Sequence, residues 1–311
     1  MLQFVTMSIE IYFNGHKYRY QDSEGNILKK IAIVTDSNSG MSRELADKYD
    51  IKLLPMMFTV DGKEYEEGIS ITGEFFCESM RAGKEVSTSQ PAVSLLMDTW
   101  DSLLNEYEKI IHIPMSKALS GGYATAVMLS EDYDGKVLVL NSTRISVTQE
   151  TVAINARKLA DQGLSAEEIT AELEKIDLEA SIYITVESLE YLKKGGRVNA
   201  TTATIGDILN IKPVLQVNGG LIDTYGKVRG HKKAKKMIED ALKEDWKRLA
   251  EKHGEENVKI YVGHIGAEEE MHEWKKKMEE IFPGHEVLEA LLPMSIGCHV
   301  GPGTVGAAVC I

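Results

Sequence analysis

Residues 83–91 form the first of three short segments whose side chains suit the binding of an anion. Thr88 and Ser89 lie there, between the end of one predicted helix and the start of the next at Pro91. Hydroxyls and free backbone N–H groups at a helix N-terminus favour a carboxylate or a phosphate. Simple capping of the second helix by Ser89 explains the same pattern, so both interpretations stay open.

Residues 116–123 form the second segment, which contains Ser120, Gly121 and Gly122. It follows a predicted buried strand and begins a helix, and ligands of open α/β sheets bind at that end of a strand. The glycines allow the backbone to approach an anion closely, although a capped turn would also use them. A nucleophilic role for Ser120 is disfavoured, because residue 118 is Ala where a hydrolase elbow requires Gly.

Residues 296–306 form the third segment, in which His299 precedes Gly301, Gly303 and Gly306. The glycine spacing matches a dinucleotide fingerprint, but only five residues follow, too few for the helix that such a site requires. The glycines are therefore predicted to shape a loop against a ligand or a neighbouring backbone. His299 could donate to an anion, although a lone histidine often has only a structural role.

Composition excludes several classes of function. The 311 residues carry 48 acidic and 35 basic side chains, a net charge of −13, which argues against nucleic-acid and anionic-membrane partners. Neither a signal peptide nor a bilayer-spanning run is expected. Three scattered cysteines provide no disulfide framework and fit a reducing cytoplasm. No Walker A loop and no metal-ligand spacing of the histidines is found, so no cofactor and no metal are predicted.

Alternating short apolar runs and amphipathic segments predict an α/β protein in two domains. Residues 1–30 are predicted to be an extension with a β-hairpin at Asn14-Gly15, residues 31–163 a parallel-sheet domain, and residues 164–311 a second α/β domain. Residues 52–60 are predicted to form one strand that turns at Asp61-Gly62. A helix is expected from Ser37–Ser39 through Tyr49, and the pair Ser165 and Glu168 predicts a capping box.

Six short motifs occur in a fixed order along the chain, and their order can be compared with that of a known protein family. They are IleValThrAspSer (33–37), ThrSerGlnPro (88–91), LeuSerGly (119–121), LysLysGlyGlyArg (193–197), IleLysPro (211–213) and HisValGlyProGly (299–303). Together they resemble the DegV family, whose members include the fatty-acid-binding subunits of bacterial fatty acid kinase. The resemblance covers Ile31 to Ile311 and leaves residues 1–30 outside it.

The resemblance implies a parallel-sheet domain and a mixed-sheet domain, with a lipid tunnel at or near their interface. It implies that Thr88 and Ser120 hold a fatty acid carboxyl group, with Ser89, Gly121 and His299 close by. Arg229 resembles an exposed arginine beside the carboxyl group that contacts a kinase. Arg197 lies in a recurring turn and is expected to be structural.

The predicted function is therefore a cytoplasmic, bacterial fatty-acid carrier that presents its ligand to an ATP-binding fatty acid kinase subunit for acyl phosphate formation. Such a protein would not be an enzyme alone. Two alternatives remain open: an acyl hydrolase or transferase that uses Ser120, and a carrier or sensor of another amphipathic ligand that has no kinase partner.

Overall fold

The computed structural model describes residues 12–13, 16–17, 29–196 and 211–311. Two short strands pair in antiparallel register on either side of Asn14-Gly15, as the hairpin prediction requires. The remainder of the predicted extension up to residue 28, and the predicted structural residue Arg197, lie outside the described residues.

The described strands and helices follow one another in chain order as follows. The strands are β1 (Tyr12–Phe13), β2 (His16–Lys17), β3 (Lys29–Asp36), β4 (Ile51–Leu54), β5 (Met57–Val60), β6 (Lys63–Glu66), β7 (Val86–Ser89), β8 (Tyr107–Ile113), β9 (Val137–Val139), β10 (Ala180–Thr185), β11 (Ile211–Asn218), β12 (Leu221–Arg229), β13 (Lys259–Ile265), β14 (Val287–Leu291) and β15 (Thr304–Cys310). The helices are α1 (Arg43–Lys48), α2 (Gly73–Arg81), α3 (Val93–Leu103), α4 (Gly122–Ser130), α5 (Ser146–Asp161), α6 (Ala166–Lys175), α7 (Glu190–Gly195), α8 (His231–His253), α9 (Glu268–Ile281) and α10 (Met294–Val300).

The first domain is built on a four-stranded parallel sheet in the order β4-β3-β8-β9. Alternate residues of β3 enter two separate cores: Ile31 and Ile33 pack with α5 and α6, whereas Ala32 and Val34 pack with α3 and α4. A sheet covered on both faces explains why its strands are continuous apolar runs. Because parallel strands end at the same edge, the turns after β3 and β8 lie close together.

The run 52–60 is divided between two sheets, which corrects the prediction of one strand. β4 belongs to the parallel sheet, whereas β5 pairs with β6 and β7 in a separate antiparallel sheet of three strands. Pro55 lies at the break, and proline does not donate the backbone hydrogen bond that a continuous ladder needs. The predicted turn at Asp61-Gly62 is present between β5 and β6.

The predicted helix from Ser37–Ser39 through Tyr49 is also shorter than expected. Residues Ser37–Ser39 form a single 3-10 turn that ends at Gly40 in the left-handed conformation. The α-helix begins only at Arg43, where Ser42 provides the side-chain cap. The capping box of Ser165 and Glu168 at the start of α6 is confirmed.

The second domain has a mixed sheet in the order β12-β11-β10-β15-β13-β14, in which only the β13–β14 pair is parallel among the described strands. Helices α8 and α9 cover one face through residues such as Ile238 and Trp274. The other face belongs to a core shared with the first domain's small sheet, including Phe58 and Phe76. The prediction of two α/β domains, one with a parallel and one with a mixed sheet, is confirmed.

The division between the domains at residue 163 stays a prediction. Helix α6, which follows that point, packs through Ile169 and Leu173 on the core of the parallel sheet. Helix α5 also contacts β15, and the Thr151 hydroxyl lies 3.1 Å from the Tyr261 hydroxyl. We therefore propose that the division lies after α6, close to the start of β10.

Candidate ligand-binding site

A pocket of about 130 Å³ lies where the two domains meet. Its walls come from the turns after β3 and β8, from β7, from the start of β12 and from α10. The residues that line it are Asn38, Met56, Thr88, Ser89, Gln90, Met115, Leu119, Ser120, Gly121, Ile145, Ile222, Ser295, Ile296, His299 and Val300. Five of the predicted site residues, from segments more than 200 residues apart, thus share one pocket.

Thr88 lies on a strand, which corrects the prediction of a polar loop before a helix. In β7 it pairs with Phe58 of β5. Helix α3 begins at Val93, five residues after Thr88, and its N-cap, Ala92, makes no side-chain hydrogen bond. Consequently Ser89 does not cap that helix, and Thr88 does not belong to its first turn. The alternation of strand side chains turns Thr88 away from Ser87, which hydrogen-bonds Thr59 instead.

His299 lies on a helix, which corrects the prediction of a loop over residues 296–306. Helix α10 ends at Val300, and only residues 301–303 separate it from β15. The His299 Nε2 atom is 3.1 Å from the Thr88 hydroxyl, so the side chains of the two domains meet in the pocket. If Nε2 donates this bond, the Thr88 proton is available to a ligand.

Gly195 lies directly against the imidazole of His299. A Cβ atom at this position would overlap His299 Nδ1. The glycine of the LysLysGlyGlyArg motif is therefore required by a close approach of helix α7 to helix α10. This contact gives the motif a role in holding His299.

Ser120 and Gly121 lie in the turn between β8 and α4, as predicted. The Ser120 Oγ accepts a 3.1 Å hydrogen bond from Gly122 N, which leaves its hydroxyl proton available to donate. Gly121 is the N-cap of α4 and has no side chain, so it caps none of the backbone N–H groups of the first helical turn. Thr88, His299 and this turn can together donate several hydrogen bonds to one anion.

Asp36 forms a buried support under the turns that carry the site. Its carboxylate accepts hydrogen bonds from Asn38 N, Met115 N and Gln149 Nε2 at 2.9–3.1 Å. Burial outweighs these bonds and raises the pKa of Asp36 to about 6. The network ties the end of β3 to the segment after β8 and to α5.

Glu67 forms a second buried support, behind helix α10. Its carboxylate accepts from the Ser37 hydroxyl at 2.5 Å and from Ser295 N at 3.1 Å. Ser37 Oγ in turn accepts from Met56 N at 2.9 Å. Burial raises the pKa of Glu67 to about 7, against the lowering effect of these donors. One carboxyl group thereby joins the first domain to the helix that carries His299.

Arg229 is exposed and is not one of the residues that line the pocket. It occupies the last position of β12, paired with Ile211. The pocket residue Ile222 is seven residues earlier on the same strand, a separation of about 23 Å at ~3.3 Å per residue. The position of Arg229 next to the carboxyl group and its contact with a kinase both stay predictions.

Several residues of the pocket were not predicted from the sequence. Asn38 and Ser295 are buried polar residues of the pocket, and Gln90, Ile145 and Ile222 complete its walls. The rule that singled out Ser120, the end of a buried parallel strand, applies equally to Asn38, which follows β3. No comparable signal marks Ser295 or Ile222, because their place depends on how the second domain packs on the first.

The described residues contain neither a metal cluster nor a membrane-spanning helix. No group of three or more His, Cys, Asp or Glu side chains among them is arranged to hold a metal ion. None of the described helices combines the length and the apolar character needed to cross a bilayer. The chemistry that the pocket itself supports is the binding of an anionic group attached to an apolar body.

Comparison with known proteins places these features in one family. The profile of the family described as "Uncharacterised protein, DegV family COG1307" matches residues 30–311. A DegV domain-containing protein of Listeria innocua is 33% identical over 281 residues, which cover 89% of this chain and 97% of the relative. A second DegV domain-containing protein, from Caldanaerobacter subterraneus, is 30% identical over 280 residues, 90% of this chain and 98% of the relative.

Solved structures with the same fold include proteins described as binding fatty acids. DegV of Bacillus subtilis, a fatty acid binding protein, has a TM-score of 0.81 at 28% identity, covering 91% of this chain and 99% of its own. A fatty-acid-binding DegV family protein of Thermus thermophilus gives 0.82 at 28% identity, with coverage of 90% and 99%. A stearic acid-binding protein of Eubacterium ventriosum gives 0.79 at 26% identity, with coverage of 91% and 98%.

Proposed function

Because the chain belongs to the DegV family, we propose that it binds a long-chain fatty acid, with the carboxyl group held by Thr88 and Ser120, and presents it to a partner kinase. The observation that carries this proposal is the pocket at the domain interface, where the Thr88–His299 pair lies beside the Ser120 turn and above an apolar wall. Ser89 and Gly121 line the same pocket. Related DegV structures described as binding fatty acids support the same ligand.

The carboxylate has to regain in the pocket the hydrogen bonds that it loses on leaving water. The hydroxyls of Thr88 and Ser120 and the N–H groups at the start of α4 are donors suited to this. The apolar wall gives the chain its share of the affinity, at about 0.8 kcal/mol per buried methylene. A head group alone would bind weakly, so affinity should increase steeply with chain length.

The volume of the pocket fits the head group and the first methylenes of such a ligand. At about 130 Å³ it is below the range of roughly 300–1,000 Å³ that encloses larger ligands. Met56 and Met115 line it, and methionine side chains rearrange at low cost. Binding of the full chain therefore moves these side chains. Met128 is 62% exposed and does not line the pocket.

Mass spectrometry of lipid extracted from the purified protein tests the binding proposal. We expect a stoichiometric long-chain fatty acid in the wild type and strong depletion in Thr88→Ala/Ser120→Ala. The matched control is Thr59→Ala/Ser87→Ala, which removes two hydroxyls from the same small sheet but outside the pocket. A wild type that carries no lipid and also rejects added fatty acid would overturn the proposal.

The kinase step requires a second experiment. Wild-type protein loaded with fatty acid is mixed with ATP and an ATP-binding fatty acid kinase subunit, and acyl phosphate is measured. Arg229→Ala should retain the lipid but lose acyl phosphate formation, since the side chain is exposed and distant from the pocket. Hydrolysis of acyl esters by the protein alone, abolished by Ser120→Ala, would favour the hydrolase alternative instead.

A further inference from the structure

Asn38 is a fully buried polar residue of the pocket with one side-chain atom that lacks a partner. It is 0% exposed and lies in the turn after β3. Its Nδ2 donates to Ser295 Oγ at 3.0 Å, whereas its Oδ1 has no hydrogen-bond partner among the described residues. An amide oxygen that is buried and unsatisfied costs free energy, so it calls for a donor that the protein itself does not supply.

The orientation of this amide is set by its neighbours. The Ser295 hydroxyl also hydrogen-bonds the Glu67 carboxyl group, which leaves the serine oxygen to accept from Asn38. The side-chain nitrogen of Asn38 therefore donates to Ser295, and Oδ1 is the side-chain atom that has no hydrogen-bond partner among the described residues. An amide oxygen only accepts hydrogen bonds, so it does not assist in holding a carboxylate, whose oxygens also only accept.

The position of Asn38 relative to the head-group residues follows from helix α10. Ser295 and His299 are four residues apart and share one face of the helix, about 6 Å apart along its axis. His299 is bound to Thr88, and Ser295 is bound to Asn38, so the pocket has two polar levels one helical turn apart. Asn38 and Ser295 form the more deeply buried level, beyond the partly exposed Thr88 and His299.

We propose that the pocket takes a fatty acid with a hydroxyl group close to its carboxyl end, and that this hydroxyl donates to Asn38 Oδ1. The inference rests on the proposed function, because it assumes that the carboxylate lies at the level of Thr88 and His299. The chain that extends from there passes Asn38 within its first few carbons. A hydroxyl on those carbons supplies the missing donor without adding charge.

Competition binding with five acids of the same chain length tests this inference. The acids are hexadecanoic acid, both enantiomers of 3-hydroxyhexadecanoic acid, 3-methoxyhexadecanoic acid and 16-hydroxyhexadecanoic acid. We expect one 3-hydroxy enantiomer to bind the wild type about five- to tenfold more tightly than hexadecanoic acid, as one well-placed hydrogen bond provides. The methoxy acid, which lacks the proton, and the 16-hydroxy acid, whose hydroxyl is at the other end, should show no such gain.

Asn38→Ala should remove the preference for the hydroxy acid. The readout is the ratio of the affinities for the 3-hydroxy acid and for hexadecanoic acid. A shift of α10 affects both acids alike and leaves this ratio unchanged. Thr59→Ala/Ser87→Ala, which lies outside the pocket and leaves Asn38 and Ser295 in place, is the control and should retain the preference. A wild type without the preference, or a preference that persists in Asn38→Ala, overturns the inference while fatty acid binding stands. If no acid binds, the proposed function fails, and this inference fails with it.

Discussion

The imidazole of His299 is held between a hydroxyl and a glycine. Its Nε2 contacts Thr88, and its Nδ1 lies against Gly195, where a Cβ atom would overlap it. The histidine and the threonine were each identified from the sequence, but the glycine contact was not, because it depends on the approach of two helices that are about 100 residues apart. At the scale of a residue, sequence motifs therefore predicted two side chains that the structure brings together, but they missed the contact that orients the histidine.

Gly195→Ala should displace the imidazole and weaken fatty acid binding without unfolding the protein. The added methyl group and the ring cannot occupy the same space, so either His299 or helix α7 has to move. We expect an affinity loss of about tenfold, measured by competition binding, and a change in the His299 ring signals in NMR spectra. The control is Gly73→Ala, whose Cβ would meet only Leu291 at 4.0 Å. Unchanged binding together with shifted His299 signals would show that the position of the ring does not matter.

The buried carboxyl group of Glu67 is one of several contacts that attach helix α10 to the first domain. Glu67 accepts from Ser295 N and from the Ser37 hydroxyl, and Ser37 in turn accepts from Met56 N. Ser295 and Met56 both line the pocket. Glu67 therefore positions one wall of the pocket although it is not a lining residue itself.

Glu67→Gln should weaken fatty acid binding by about tenfold, because the amide nitrogen of Gln cannot accept the bonds that one carboxylate oxygen accepts now. The expected accompanying change is a shift of the His299 NMR signals, since His299 lies one turn after Ser295 on α10. Glu64→Gln, an exposed change on the neighbouring strand, is the matched control. A loss of thermal stability with normal affinity and unchanged His299 signals would mean that Glu67 only stabilises the fold.

Strands and helices could be predicted from the sequence where a single local pattern of residues determines them. The apolar runs of β3 and β8 and the capping box of α6 each specify their structure locally. β7 was missed because Val86–Ser89 is a polar, partly exposed edge strand whose only described sheet partner is β5. Its conformation comes from tertiary pairing, which no short-range pattern records.

At the scale of the whole molecule, the pocket belongs to neither domain alone. Asn38, Met56, Thr88 and Ser120 come from the first domain, whereas Ile222 and residues 295–300 come from the second. A single buried core that includes Phe58, Phe76 and Ile184 joins the two. The two-domain organisation was predictable from the alternation of strands and helices, but the shape of the interface was not, because it depends on packing between segments distant in sequence.

The same packing buries carboxyl groups whose titration should govern the pH dependence of stability. Burial raises the pKa of Asp36 to about 6 and the pKa values of Glu67 and Glu150 to about 7. A folded-state pKa above the unfolded value means that the folded protein binds the proton more tightly. The stability from each group is therefore fully present below the unfolded pKa and is lost as the pH rises through the folded pKa.

Glu150→Gln isolates one of these groups, because a neutral side chain in its place has no charge to desolvate. Relative to the wild type, the variant should gain free energy of unfolding between pH 4.5 and pH 8, by at most about 3 kcal/mol for a rise from 4.5 to about 7 in the pKa. This rise in the pKa is what remains after attraction by Lys259, which lowers it. Urea unfolding at several pH values measures the gain in free energy of unfolding, with Glu174→Gln on the exposed face of α6 as the matched control. If the difference in stability between Glu150→Gln and the wild type is constant with pH, Glu150 keeps an ordinary pKa. The interface between α5 and the second sheet then admits enough water to solvate its charge.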